Sequence, residues 1–472
     1  QNLCKIRENK LLSSTVLSMT SEEKERDDND DDDDNVLPLP IDREWITKLL
    51  HRFPNSQSRH QKKALIVAPM VDQSDLPFRL LCRKYGSNLC FTPMIHSGLV
   101  IRSIPYRKKF TGKWLDDLDR PLIAQLCGSD PDTMLKAARL IEPYVDGIDI
   151  NCGCPQGIAK RGNYGAYLLE QEETLLTLVK HLVKYLHVPL SVKVRLLPDP
   201  EVNPHKIKLT GDGGEDAFDI PAASLDLYGK LVDAGIHLLT IHGRTRKQKQ
   251  DLTGKADWDT IAKAVKLYGH RIPIFANGSI ESYEDVEECL NITNVDGVMS
   301  SEALLEYPPI FYKIPQTPKR TIGRLQLARE YIELAQQYPP NEGGQGSGIK
   351  CIRMHLHRFF HKDMQEDISF RQKVIEDKTV SALAECIEIC RQKHLRENHS
   401  IEGEKLSWYR RHRDERETVA RLQSQRKQQL LLQNKNGKDD NTDGYDDDDD
   451  DESIQECGNF FSVDNNEEKG DY

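Results

Sequence analysis

From residue 60 to residue 316 the chain repeats one pattern. A short apolar run comes first, then a polar break, then a longer segment with apolar residues at helical spacing. The apolar runs fall at 64–68, 89–92, 121–126, 147–150, 190–194, 238–241, 274–276 and 297–300. Short apolar runs closed by Gly, Pro, Asp or Asn predict strands buried on both faces, as in a parallel sheet. The segments between them read as amphipathic helices. Residues 133–141 have helical period, and 172–186 carry leucines at 175, 176, 178, 182 and 186. Eight strands alternating with helices predict an α/β fold, a (β/α)8 TIM barrel of about 250 residues. The rival, a doubly wound sheet, would place a GxGxxG turn after its first strand, and none is present there.

The flanks read differently. Residues 41–60 predict a short helix ahead of the barrel. The connection after the fifth strand, residues 196–222, is long, polar and rich in Pro, Gly and Asp, and reads as a flexible insertion. Residues 319–438 read as an all-helical carboxyl-terminal module. It holds 24 Lys and Arg against 16 Asp and Glu, a net charge of +8, while 439–472 holds 15 acidic residues and one lysine. Aspartate runs at 27–34 and 446–452 repel themselves and cannot bury a core, so 1–40 and 439–472 are expected to be disordered acidic tails. The overall charge of −11 thus reflects the tails more than the folded part. In the helical module Lys350, Arg353, Arg358 and Lys362 interleave with His355, His357, Phe359, Phe360 and His361, which suits a phosphate-binding face.

Eleven scattered cysteines show no paired metal-ligand spacing, so no metal is expected, and a reducing compartment is the simple reading: the cytoplasm, with the nucleus left open. No apolar run reaches the roughly 18 residues of a membrane helix. The densest chemistry lies from Asp146 to Leu169, DGIDINCGCPQGIAKRGNYGAYLL. Here Asn151 and Cys154 follow the fourth apolar run, at the strand end where barrels gather catalytic groups. Cys152 stands on the strand side and is expected to pack.

This stretch resembles the signature of the tRNA-dihydrouridine synthases, flavoenzymes that reduce uridine in tRNA. The matching residues are Asn151, Cys154, Pro155, Lys160, Gly162 and Gly165, supported by Ala68-Pro69-Met70, Ser191-Val192-Lys193-Val194-Arg195 and His242-Gly243-Arg244-Thr245. The resemblance covers about 60–315 and, more weakly, the helical segment after it. The wording CGCPQGIAKRGNYGAYL and IHGRTR is nearest to the eukaryotic position 16/17 branch.

The resemblance implies flavin mononucleotide (FMN) as cofactor, NADPH or NADH as reductant and tRNA as partner. No dinucleotide fingerprint is present to choose the nicotinamide, and the oligomeric state is open. Saturating the C5–C6 bond of uracil needs a hydride at C6 and a proton at C5. A thiol with an ordinary pKa of about 8.5 is protonated at pH 7 and can give that proton. By resemblance Cys154 is that acid and Asn151 holds the uracil edge, with Lys160 and Arg161 on the same loop meeting RNA or closing over the base. For the flavin, Pro69, Met70 and Val71 would lie against the ring and Gln125 would offer it an amide. Lys193 would set a positive charge near the N1–O2 edge, and His242 would touch flavin or base. Asn277, Gly278 and Ser279, read as opening a helix, would take the phosphate. So would Ser301 and Glu302, which stand where many relatives have Gly-Arg. Three alternatives remain: the same reaction at another tRNA position, a flavin-dependent small-molecule pyrimidine reductase, and a non-catalytic RNA-binding barrel.

Overall fold

The computed structural model describes residues 37–55, 62–111, 117–197, 220–248, 254–312, 322–340 and 346–396. The acidic tails, most of the 196–222 insertion and the 397–438 part of the basic module lie outside the described residues.

Nine strands are described: β1 (Ala64–Val67), β2 (Leu89–Phe91), β3 (Ile95–His96), β4 (Leu122–Cys127), β5 (Gly147–Cys152), β6 (Leu190–Arg195), β7 (Leu238–His242), β8 (Ile274–Asn277) and β9 (Gly297–Ser300). Every pairing is parallel, and the ring β1-β2-β4-β5-β6-β7-β8-β9 closes through β9–β1 and β2–β4. The eight expected strands are these eight. β3 is an added two-residue strand on β4. β5 runs two residues further than expected, so Asn151 sits inside the strand and Cys154 just beyond it.

Alternation along each strand splits the side chains between two environments. Leu65, Val67, Ile148, Ile150, Val192 and Val194 belong to the core shared with the surrounding helices. The opposite set divides along the barrel axis. Toward the amino-terminal end it is apolar, and there the Trp45–Arg52 helix plugs the barrel, packing Trp45, Ile46 and Leu50 against Ile66, Phe91 and Phe275. Trp45 Nε1 donates to the His237 carbonyl at 2.9 Å. A Cβ on Gly147 would crowd the Pro189 carbonyl oxygen at 3.2 Å, while meeting the Trp45 ring only at ordinary contact distance, 3.5 Å. Toward the carboxyl end the same set turns polar, and that is where the site lies.

The carboxyl-terminal helices, Arg324–Gln337, Ile349–Phe359, His361–Glu366, Ile368–Glu376 and Val380–Arg396, pack onto the barrel beside the Leu76–Lys84 helix. Asp75 stands at the N-cap of that helix, yet its carboxylate makes no capping bond. It accepts instead from His355 Nε2 at 2.8 Å and Tyr331 Oη at 3.2 Å, while Cys351 Sγ donates to the Asp72 carbonyl. Of the residues expected to form a phosphate-binding face, His355, Phe359 and Phe360 thus turn inward instead. His355 and Phe359 share the buried stripe of the Ile349–Phe359 helix with Cys351, Ile352 and Leu356, and Phe360 is buried just after it. The mixture of aromatic and basic residues is that of an amphipathic helix docking on the barrel. Lys350 and Lys362 remain exposed, whereas Arg353 donates to the Asp377 carbonyl at 2.6 Å.

Two buried groupings, Asp75–Cys351–His355 and Asp363–Cys390–His394, contain metal-ligand types. Their His and Asp atoms stand 2.8 and 2.5 Å apart. Two ligands on one tetrahedral zinc, at bonds near 2.0 Å, would be separated by about 3.3 Å, so both groupings have hydrogen-bond geometry. No helix among the described residues is long and apolar enough to cross a membrane.

Candidate active site

Strand register stacks the inward polar side chains in layers. The lowest joins Gln125 of β4, Asp149 of β5 and Ser191 of β6, and the next joins Asn151, Lys193 and Thr240. The mouth layer joins Arg195, His242 and Asn277 across β6, β7 and β8.

Cys154 lies beyond β5, on a loop held at several points. Asn151 Oδ1 accepts from the backbone N–H of Gly153 at 3.1 Å and of Cys154 at 3.0 Å, closing an Asx turn. Arg195 Nε donates to the Gly153 carbonyl at 2.7 Å, and the Cys154 carbonyl accepts from Ala166 N at 2.9 Å. Gly165, at φ +68°, lets the returning chain press against the loop: a Cβ there would stand 2.6 Å from the Cys154 carbonyl oxygen. The thiol packs beside Met94, Cys127, Ala159, Tyr164 and Tyr167. Among the described cysteines Cys154 is the one not fully buried, and Cys152 is buried, as expected.

The electrostatics are lopsided. Burial, with Arg195 next to it, pulls Lys193 down to about 8 against the opposing charge of Asp149. Burial and Arg244 bring Arg195 to about 10. Burial also lowers Arg244. His242, buried among Arg195, Lys193 and Arg244, is held well below the usual imidazole range and is neutral at pH 7. Burial pushes Asp149 up to about 6, against hydrogen bonds from Ser191 and Gln125 and the Lys193 charge. Cys154 is also pushed up by burial, opposed by a backbone bond at Gln156 and by Arg195 and Lys193. Three buried cations thus surround the mouth beside a neutral thiol, a charge distribution that favours an anionic ligand.

The dihydrouridine synthase family model matches residues 66–397 of the chain. The chain belongs to the dihydrouridine synthase family. A mouse protein named tRNA-dihydrouridine(16/17) synthase [NAD(P)(+)]-like is 37% identical over 320 residues, 68% of this chain and 60% of that one. The fission yeast Schizosaccharomyces pombe tRNA-dihydrouridine(16/17) synthase [NAD(P)(+)] is 36% identical, over 66% of this chain and 73% of its own length. A human tRNA-dihydrouridine(20a/20b) synthase [NAD(P)+]-like protein is 33% identical, over 65% and 84%. The match therefore spans somewhat less than two thirds of the mouse relative. A solved 2-naphthoyl-CoA reductase is 13% identical with a TM-score of 0.38, covering 52% of this chain and 48% of that one, a likeness too slight to add to the fold assignment.

In this family member the expected site residues fall as follows. Gln125, Asn151, Cys154, Lys193, His242 and Asn277 converge at the carboxyl-terminal mouth. The Gln125 amide is engaged at both ends, with Asn151 and Asp149. Pro69, Met70 and Val71 follow β1, where Met70 N donates to Ser74 Oγ at 2.9 Å and Val71 is exposed. Lys160 and Arg161 are exposed on the short Gly157–Arg161 helix after the Cys154 loop. Asn277 donates to the Met299 carbonyl at 2.9 Å. Gly278 and Ser279 both have positive φ, +104° and +60°, and the bare Gly278 lies against the His242 ring.

One expectation at this corner is corrected. The helix read as opening at Ser279 starts at Tyr283, is capped by Ser282 and carries Glu284 and Asp285 in its first turn, so Ser279 lies in a turn ahead of it. Beyond β9, Ser301 is the N-cap of the five-residue Glu302–Glu306 helix, and the Glu302 carboxylate favours the charged form of Arg244. A cation therefore reaches this corner from Arg244, which bonds Ser279 Oγ at 3.2 Å and the Gly254 carbonyl at 2.8 Å. Asp149 and the loop-bracing role of Arg195 were missed from the sequence, although Asp149 is a polar position inside an apolar run and Arg195 follows Lys193 at period two. Those placements were the available signal.

Proposed function

We propose that the protein is an FMN-dependent tRNA-dihydrouridine synthase acting at the 16/17 positions of the D-loop, with NADPH or NADH as reductant. The observation that carries this reading is the pairing of one accessible neutral thiol, Cys154, with an excess of buried cations at the same barrel mouth. A flavin phosphate and an electron-rich reduced ring are anions of the kind this charge favours. Lys193 would face the ring edge, with the Pro69–Met70–Val71 loop against it and Gln125 and His242 beside it. Asn277, Gly278, Ser279, Ser301 and Glu302, with Arg244, would line the phosphate corner. When bound, the flavin supplies the hydride to uracil C6. Cys154 Sγ gives its proton to C5, and burial keeps that proton on sulfur at pH 7. Neutral His242 can hydrogen-bond without adding charge. Exposed Lys160 and Arg161 flank the entrance that a base turned out of tRNA would use. The 16/17 assignment draws on the relatives and on the wording of the Cys154 loop.

The test is dihydrouridine mapping in tRNA incubated with protein, FMN and NADPH, beside Cys154→Ala. Dihydrouridine at 16/17 with the native protein, and at least about a hundredfold less with the variant, is expected for loss of a general acid. Flavin bound and NADPH oxidised without dihydrouridine would overturn the tRNA reading.

A further inference from the structure

We propose that Asp149 is a positioning residue that aims Cys154, acting through a relay of two amides that its acceptor oxygen helps hold in one orientation. Asp149 lies in β5 and is fully buried. Its Oδ1 accepts from Ser191 Oγ at 2.6 Å and its Oδ2 from Gln125 Nε2 at 2.8 Å. A carboxylate accepts only, so the NH2 end of Gln125 must face it. The carbonyl end of Gln125 is then turned to Asn151, whose Nδ2 donates to it at 2.7 Å. Asn151 is thereby left with Oδ1 toward the loop, where it takes the N–H groups of Gly153 and Cys154.

Either amide taken alone could be turned over. With Asp149 at one end and two N–H donors at the other, one orientation of both satisfies every group. The last link fixes the peptide before Cys154 from two sides: its N–H is held by Asn151 and its carbonyl, that of Gly153, by Arg195 at 2.7 Å. With that plane fixed, and with the Cys154 carbonyl held by Ala166 N at 2.9 Å, the backbone on both sides of the Cys154 Cα is anchored, and with it the direction of the Cα–Cβ bond. Asn151 is on this account tied into the relay through both ends of its amide, in addition to any contact with a base. That the aim of Cys154 matters for turnover rests on the function proposed above, whereas the relay itself does not.

The experiment compares native protein with Asp149→Ala, Asp149→Asn and Gln125→Glu. It reads the rate at which iodoacetamide modifies Cys154, followed on its own peptide without tRNA, and then kcat and KM for tRNA. Gln125→Glu keeps the volume and opposes two carboxylates, so it breaks the relay even if Asp149→Ala fails to fold. Asp149→Asn can accept from Gln125 with its oxygen and donate to Ser191, whose hydroxyl turns. Expected are a change in Cys154 alkylation of about fivefold or more in Asp149→Ala and Gln125→Glu, a fall in kcat with KM unchanged, and return to native values in Asp149→Asn. Native alkylation in both disrupted variants would overturn the relay. So would an Asp149→Asn protein that behaves like Asp149→Ala. A native protein that leaves tRNA unreduced would sink the proposed function alone, because the alkylation comparison is read without substrate.

Discussion

At Cys154 burial and charge act on the thiol in opposite directions. Burial raises its pKa, Arg195 and Lys193 lower it, and burial prevails. The sign is that of an acid held in its neutral form, so thiolate appears only above the ordinary range. Alkylation of Cys154 should therefore rise with a midpoint above the free-thiol value of about 8.5, measured by iodoacetamide rates from pH 6 to pH 10. A midpoint below that value would mean that the cations prevail and that the thiol is tuned as a nucleophile. The sequence made Cys154 conspicuous because it follows an apolar run, within a stretch that resembles a family signature. It gave no such prominence to Asp149 or to the bracing role of Arg195, since their importance lies in what other strands bring beside them.

At the scale of elements, the Ile349–Phe359 helix meets the loop between β1 and the Leu76–Lys84 helix through one buried carboxylate. Asp75 serves both His355 and Tyr331, and the His355 ring stacks on Phe78 with centroids 4.6 Å apart. Asp75→Ala leaves the imidazole and the phenol without their partner in a dry interface. A loss of about 3–5 kcal/mol is expected, as for breaking one side of a buried pair, read by urea unfolding. A loss below about 1 kcal/mol would show the pair to be solvated in solution. The same loop carries Pro69, Met70 and Val71, so this variant should also retain less flavin. Helical periodicity predicted these carboxyl-terminal helices. It did not say which face was wet, because basic and aromatic residues interleave equally in a docking face and in an RNA-binding face.

Over the whole molecule, charge is distributed by position. The barrel mouth is cationic and buried, the helical module is basic, and the acidic residues concentrate toward the chain ends. Within the described part of the module, Lys350 and Lys362 are exposed lysines. On the function proposed above, reversing both, Lys350→Glu with Lys362→Glu, should weaken tRNA binding about tenfold at low salt and much less at high salt. Its salt dependence should become shallower, as when phosphate contacts are lost. Unchanged binding and slope, measured by filter retention from 50 to 200 mM salt, would place the RNA surface elsewhere.

The sequence by itself determined the barrel. Strands buried on both faces must be apolar runs, and breaks at Gly, Pro and Asn mark their ends, so eight strands and the end that carries Cys154 could be read from local pattern. Tertiary structure alone decided which polar side chains share a layer, because strand register joins Gln125, Asp149 and Ser191 from positions 24 and 42 residues apart. It also decided that His355 faces the barrel and that Arg244 reaches the Ser279 turn. Such contacts are set by closure of the ring and by docking of the helices, and no run of neighbouring residues encodes them.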